Sequence, residues 1–405
     1  MTANSTPPTP DLVALLAAMG VPGSDIDQAQ ADGTLVLLAI DHLAIGQPLR
    51  YDLAAACEAT GLPAEELRHI WRSLGFPDPQ AGEATFSDTD LGNLTAVAEL
   101  MHSGTVSEEV TYGMTRVIGS SMARVAVALI DAISAGSEAS EPAEGDDLDR
   151  PAFGPLASEG GDLLPMFPIV LEQVWRRHLQ AAARRRRLRS DHEDSAGLIV
   201  GFADLVGFTA MAQQLTDEEL AAVVDRFERL AYDGVIRGGG RVVKMIGDEV
   251  MFLVEDPVAA GEIALWLADA SRDAAELSDV RVGLALGPVL EREGDAYGAT
   301  VNLASRVTGI AYPGTVVVSA ELRSALEDHP NFVFKNMRPR SLKSLGRVQL
   351  SVLLRAEDAP TTIRETIDER RRQMRGAMRE RLAERRHDEI SSLDDESLGQ
   401  FGDGP

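Results

Sequence analysis

Residues 198–209, LIVGFADLVGFT, and 241–252, RVVKMIGDEVMF, decide how this chain is read. Each is an apolar, strand-like run that reaches an aspartate with glycine close by, Asp204 in the first and Asp248 in the second. Glycine in a strand permits close backbone approach. Two hard carboxylates on adjacent strands suit one or two Mg²⁺ or Mn²⁺ ions bound to a triphosphate. The backbone amides from Leu205 through Gly207 and Phe208 to Thr209 lead toward a helix expected to start near Thr216, so they are placed to receive phosphate oxygens. Taken singly, either aspartate is better explained as a turn or cap residue; the pair and its surroundings carry the chemical reading.

Outward from these two runs, residues 196–355 alternate strand and helix patterns. TDEELAAVVDRFERLAYDGVI (216–236) and PVAAGEIALWLADAS (257–271) read as helices, and 241–255 as a hairpin turning at Gly247–Asp248. VRVGLALGPVLE (280–291) reads as a strand, TVNLASRVTGIA (300–311) as a helix and GTVVVSAEL (314–322) as a strand. FVFKN (332–336) and VQLSVLLR (348–355) close an α/β domain.

Three motifs in order, FADLVGFT (202–209), KMIGDEVM (244–251) and GDAYGATVNLASRV (294–307), make residues 196 to about 350 resemble the class III nucleotidyl cyclase catalytic domain. The resemblance implies an α+β ferredoxin-like (palm-type) domain in which Asp204 and Asp248 hold two Mg²⁺ or Mn²⁺ ions. It implies that Lys244 and Asp295 read the base, that Asn302 orients the ribose, and that Arg306 neutralises charge on the α-phosphate. A lysine donor and an aspartate acceptor match the ring nitrogen and exocyclic amine of adenine, whereas guanine needs the reverse polarity, so the expected substrate is ATP. Asn302 and Arg306 stand four apart, on one helix face. Lys343, in SLKSLGR, is a candidate for the triphosphate. The implied reaction is attack of the ribose 3′-oxygen on the α-phosphorus, giving 3′,5′-cyclic AMP and pyrophosphate in a homodimer with shared sites. The alternatives are a cyclase accepting GTP and a nucleotide-sensing protein without turnover.

The remaining sequence narrows the setting. Over 405 residues the chain is 44% hydrophobic and 25% charged, enough for several packed cores. Its net charge of −26 opposes nucleic acid as a partner. Residues 1–150 hold six basic against 23 acidic side chains, which argues against Arg68, His69 and Arg72 as a phosphate-facing module. Residues 1–136 read as an all-α domain of short helices broken at Gly20–Pro22, Gly61–Pro63, Gly75–Pro77 and Gly104, with starts at Ser24, Asp88 and Ser107. Cys57, the one cysteine, reads as a small buried hydrophobe.

An acidic linker is expected at 137–161, an Arg-rich connecting helix at 162–190, the catalytic domain at 191–355, and a charged helical tail with a disordered end at 356–405. This arrangement resembles actinobacterial cyclases regulated by an N-terminal domain, including pH-responsive and lipid-responsive ones. It implies that the N-terminal domain contacts the catalytic domain or the connector, with protons or a lipid as effector. His42, His69, His102, His178 and His192 are candidates for titration near neutrality. No basic leader or spanning apolar run is present in the sequence, so a cytoplasmic protein is expected, with peripheral membrane association through the connector as an alternative.

Overall fold

The computed structural model describes residues 12–138, 160–190, 197–274, 277–342 and 345–358. Most of the linker and tail, together with His192 and Lys343, lie outside them. The chain divides into two compact units, Met1–Glu193 and Asp194–Pro405.

The first unit is helical: α1 (Leu12–Ala18), α2 (Gly23–Ala31), α3 (Leu35–Leu43), α4 (Leu53–Thr60), α5 (Ala64–Ser73), α6 (Asp88–His102), α7 (Glu108–Glu138) and α8 (Gly160–Ser190). Leu16, Val21, Ile26 and Ala39 form one small core. Ala56, Leu62, Leu67, Ile70, Phe86, Leu94 and Ala98 form a second beneath α4 to α6. Two helix starts differ from expectation. Pro22, rather than Ser24, precedes α2, and Ser87 rather than Asp88 caps α6, its side chain and that of Asp90 exchanging bonds in a capping box. Ser107 Oγ does accept from the Val110 amide at the start of α7.

Arg68 and Arg72 both pair with Glu65, Arg72 also with Asp78, and His69 packs against Tyr112 with tilted rings whose centroids are 4.1 Å apart. These side chains are engaged with their own neighbours. Cys57 is half-buried, and burial pushes its thiol up, away from the reactive thiolate. Among the described residues no helix is long and apolar enough to cross a membrane.

In the second unit the order is β1 (Leu198–Leu205), α9 (Phe208–Ala212), α10 (Asp217–Arg237), β2 (Arg241–Ile246), β3 (Glu249–Val254), α11 (Pro257–Asp273), β4 (Val280–Gly287), β5 (Leu290–Arg292), β6 (Asp295–Tyr297), α12 (Ala299–Ile310), β7 (Val316–Ser319), α13 (Ala320–Leu326), β8 (Phe332–Asn336), β9 (Arg340–Leu342), β10 (Gly346–Val348) and β11 (Leu350–Arg355). The main sheet runs β2-β3-β1-β4-β7-β11-β8. Its first four strands, with α10 and α11 as crossovers, are antiparallel in the order β4-β1-β3-β2. This is the ferredoxin-like arrangement the sequence implied.

Alternation along β1 assigns its two faces. Ile199, Ala203 and Leu205 join Phe227, Ala231 and Ile263 of α10 and α11 in the larger core. Leu198, Val200 and Phe202 face the other way, toward Ala304 of α12. There α12 comes so close to β4 that a Cβ on Gly283 would strike the backbone amide of Thr308 and lie 2.8 Å from the Ala304 carbonyl. Two strand readings are corrected. Pro288 follows β4, separating it from the short β5, because proline offers no amide to a ladder. The strand read over 314–322 ends at Ser319, whose side chain accepts from the Leu322 amide and starts α13.

Candidate active site

Asp204 is the last residue but one of the buried strand β1 and, by alternation with Phe202, lies on the α12 face of the sheet. The residue is 8% exposed. Across the sheet it stands opposite Glu249 of β3 and Arg281 of β4. Arg281 Nε donates to Asp204 Oδ2 at 2.6 Å. The β2–β3 hairpin turns at Gly247, whose φ of +61° favours glycine. This turn places Asp248 against Asp204: the Asp248 carbonyl accepts from the Leu205 amide at 3.1 Å, and its carboxylate lies at the Asp204 carboxylate.

The electrostatics follow from crowding. Burial raises the pKa of Asp204, Arg281 opposes that rise, and Asp248 adds to it. Glu249 is pushed up to about 7, first by burial and then by the charges of Asp204 and Asp248. Three crowded carboxylates, the buried Asp204 with Asp248 and Glu249, and a single guanidinium among them form a place where a divalent cation would relieve repulsion. Among the described residues no cluster of three or more His, Cys, Asp or Glu is arranged to hold a metal alone. Mg²⁺, however, is commonly bound by one or two carboxylates and completes its shell with phosphates and water. The donor set of Asp204 and Asp248 fits such an ion.

The phosphate-facing amides need one correction. Those of Leu205 and Val206 donate to the carbonyls of Asp248 and Asp279, so Leu205 ties β1 to the hairpin and has no amide left for substrate. The segment leads first into the short α9, capped by Gly207, which sequence reading ran past. The amides of Phe208 and Thr209 lie in its first turn, where no intrahelical acceptor exists. Thr216 then caps α10 as expected.

Lys244 and Asp295 meet, Nζ to Oδ2, at 2.5 Å. Lys244, with the Ala296 amide, helps hold the Asp295 carboxyl below the usual range, against the opposing effect of burial. Asn302 is exposed and Arg306 half-buried on α12. Helix α12 packs along β1: its start lies at Gly287, which pairs with Leu198 and where a Cβ would touch Thr300, and its last turn reaches Phe202, whose carbonyl accepts from Thr308 Oγ1 at 3.3 Å. Asn302 and Arg306 lie between these two anchor points.

Residues 191–355 match the family model described as the adenylate and guanylate cyclase catalytic domain. An adenylate cyclase of Streptomyces coelicolor is 35% identical over 302 residues, covering 74% of this chain and 78% of that protein. This chain belongs to the class III nucleotidyl cyclases. An adenylate cyclase of Glutamicibacter nicotianae is 30% identical over 344 residues, covering 80% of the cyclase described here and 84% of its own length. A pH-sensitive adenylate cyclase of Mycobacterium tuberculosis is 28% identical over 336 residues, covering 80% and 83%. As a member of this family the protein is a cyclase enzyme with a nucleotide substrate. Reading the cyclase's sequence missed Arg281 and Glu249. Each is an ordinary charged residue in an alternating strand, and only the register between strands brings it to Asp204.

Proposed function

We propose that this cyclase converts ATP to 3′,5′-cyclic AMP and pyrophosphate. The observation carrying the reading is the Lys244–Asp295 pair, a donor and an acceptor with the polarity adenine requires, set in the same domain as the paired carboxylates Asp204 and Asp248. Asp204 and Asp248 would hold two Mg²⁺ or Mn²⁺ ions. Such ions supply Lewis acidity at the α-phosphate, favour the 3′-oxyanion and neutralise the leaving pyrophosphate. Asn302 orients the ribose, Arg306 offsets charge developing on the α-phosphate, and the first-turn amides of α9 receive phosphate oxygens. Lys244 donates to an adenine ring nitrogen while Asp295 accepts from the exocyclic amine.

In keeping with the family resemblance, Asn302 and Arg306 serve the carboxylates of a second copy. The working enzyme is then a homodimer with two equivalent sites. The helical unit regulates turnover, with protons or a lipid as effector. The similarity to a pH-sensitive adenylate cyclase supports the first of these.

The test is cyclic AMP formation from ATP with Mn²⁺ by the full chain, by residues 191–405 and by Asp248→Ala. Turnover by the full chain that Asp248→Ala abolishes supports the assignment. Product from GTP in preference to ATP, or ATP binding without product, overturns it. A pH profile identical with and without residues 1–190 removes proton sensing from the helical unit.

A further inference from the structure

The β5–β6 hairpin stands outside the seven-stranded sheet, yet it carries Asp295. Two ion pairs fasten it to β2. One is Lys244 with Asp295; in the other, Arg241 Nη2 meets Glu291 Oε2 at 2.6 Å. Arg241 Nη1 also reaches the Gly294 carbonyl in the hairpin turn, at 3.5 Å. Residues three apart on a regular strand point to opposite faces. In β2 the register shifts between Val242, opposite Phe252, and Lys244, opposite Met251. This one-residue bulge at Val243 returns Lys244 to the face of Arg241, so both cations address the same hairpin.

Ala296, next to Asp295, is buried in the core with Leu198 and Val200, and the turn lies beyond it. Arg292 pairs with Asp295 across a two-residue turn in which Glu293 has φ +54° and Gly294 φ +83°. Turns of this kind favour Asn or Asp followed by Gly, so glutamate at the first position works against the turn that immediately precedes Asp295. The Lys244–Asp295 pair cannot be the permanent fastening if the two groups are to read a base, because reading redirects both to the ligand. Arg241 and Glu291 have no part in that exchange.

We propose that Arg241 and Glu291 form a positioning clamp that holds the β5–β6 hairpin while Lys244 and Asp295 separate to receive adenine, and that this clamp sets the preference for ATP over GTP. The inference rests on the adenine-reading assignment above. Neither residue touches the reacting atoms; they act through Asp295.

Full-length Arg241→Gln, Glu291→Gln and the double variant, assayed with ATP and with GTP, test it. Each single variant is expected to raise the KM for ATP about tenfold with kcat within about twofold, and to lower the ATP-to-GTP ratio of kcat/KM by about tenfold. The double variant is expected to lose no more than either single one, because both remove the same contact. The substrate ratio is independent of the fraction of protein that is folded. Equal losses with both nucleotides, no loss with either, or additive losses in the double variant overturn the clamp. A wild-type protein that binds ATP without turnover is a failure of the proposed activity alone. The clamp is then decided by the ratio of ATP to GTP affinities in the same variants, and an unchanged ratio overturns it.

Discussion

Arg281 donates from its Nε to Oδ2 of Asp204 across the β1–β4 ladder, at 2.6 Å, so the most buried carboxylate of the site is neutralised by its own chain. A divalent cation arriving at Asp204 finds Oδ2 already held by the guanidinium, and it takes Oδ1, shares Oδ2 or displaces the arginine. Arg281→Ala leaves Asp204 beside Asp248 and Glu249 without a counter-charge. In EDTA at neutral pH the variant is expected to lose about 1–3 kcal/mol of stability in urea titration. Saturating Mn²⁺ is expected to return more stability to the variant than it adds to the wild type. Equal Mn²⁺ gains in both proteins would mean that the guanidinium and the metal do not compete.

Base preference gives a second expectation. Lys244→Glu with Asp295→Cys removes the polarity that suits adenine and leaves an acceptor where guanine presents a donor. The double variant is expected to lose about 10²-fold or more in kcat/KM with ATP while GTP turnover holds or rises, as discrimination through buried polar partners permits. Parallel assays with the two nucleotides measure this. An unchanged ATP-to-GTP ratio would remove Lys244 and Asp295 from base recognition.

Glu249 makes the metal-free stability depend on pH, and the sign follows from its raised pKa. Folded, it titrates near 7, against an ordinary value of 4.5. Between those limits the folded state holds the proton more often than the unfolded one, so its contribution is fully present below about pH 4.5 and is lost as pH rises through about 7. Glu249→Gln removes this loss. In EDTA the stability of the variant relative to wild type is expected to climb with pH across that interval by about 1–2 kcal/mol, a figure reduced for the solvent that still reaches the side chain. Urea titrations at pH 4.5, 6 and 8 read it directly, and a flat difference would show that Glu249 titrates alike in the folded and unfolded states.

Much of this was legible because the relevant signals are local. The apolar runs ending at Asp204 and Asp248, the helix starting at Thr216 and the four-residue step from Asn302 to Arg306 are each contained within one element, where periodicity is informative. Helix α9 was not, since five residues from Phe208 to Ala212 span too little to establish a repeat. Arg281 and Glu249 became visible only through strand register. The Arg241–Glu291 contact joins residues 50 apart through a bulge that no alternation pattern announces. The phosphate-binding reading of the Leu205 amide failed for a related reason, because its acceptor, the Asp248 carbonyl, comes from a different strand pair.

The proposed homodimer gives the last expectation. If each site takes its carboxylates from one chain and Asn302 with Arg306 from the other, Asp248→Ala and Asn302→Ala homodimers are each inactive for complementary reasons. Mixing them with exchange of chains forms heterodimers in which one site has lost both groups and the other has lost neither. With random exchange, half the dimers are heterodimers and each has one intact site, so about a quarter of wild-type activity is expected to return. Each variant alone is expected to fall about 10³-fold or more, in line with the loss of a metal ligand or a transition-state contact. Asp248→Ala mixed with Asp204→Ala supplies the control, because both lesions fall on the same half-site and no pairing of chains restores it. Recovery in the first mixture and none in the second requires shared sites. No recovery in either, with exchange verified by differently tagged chains, would place the whole site within one chain.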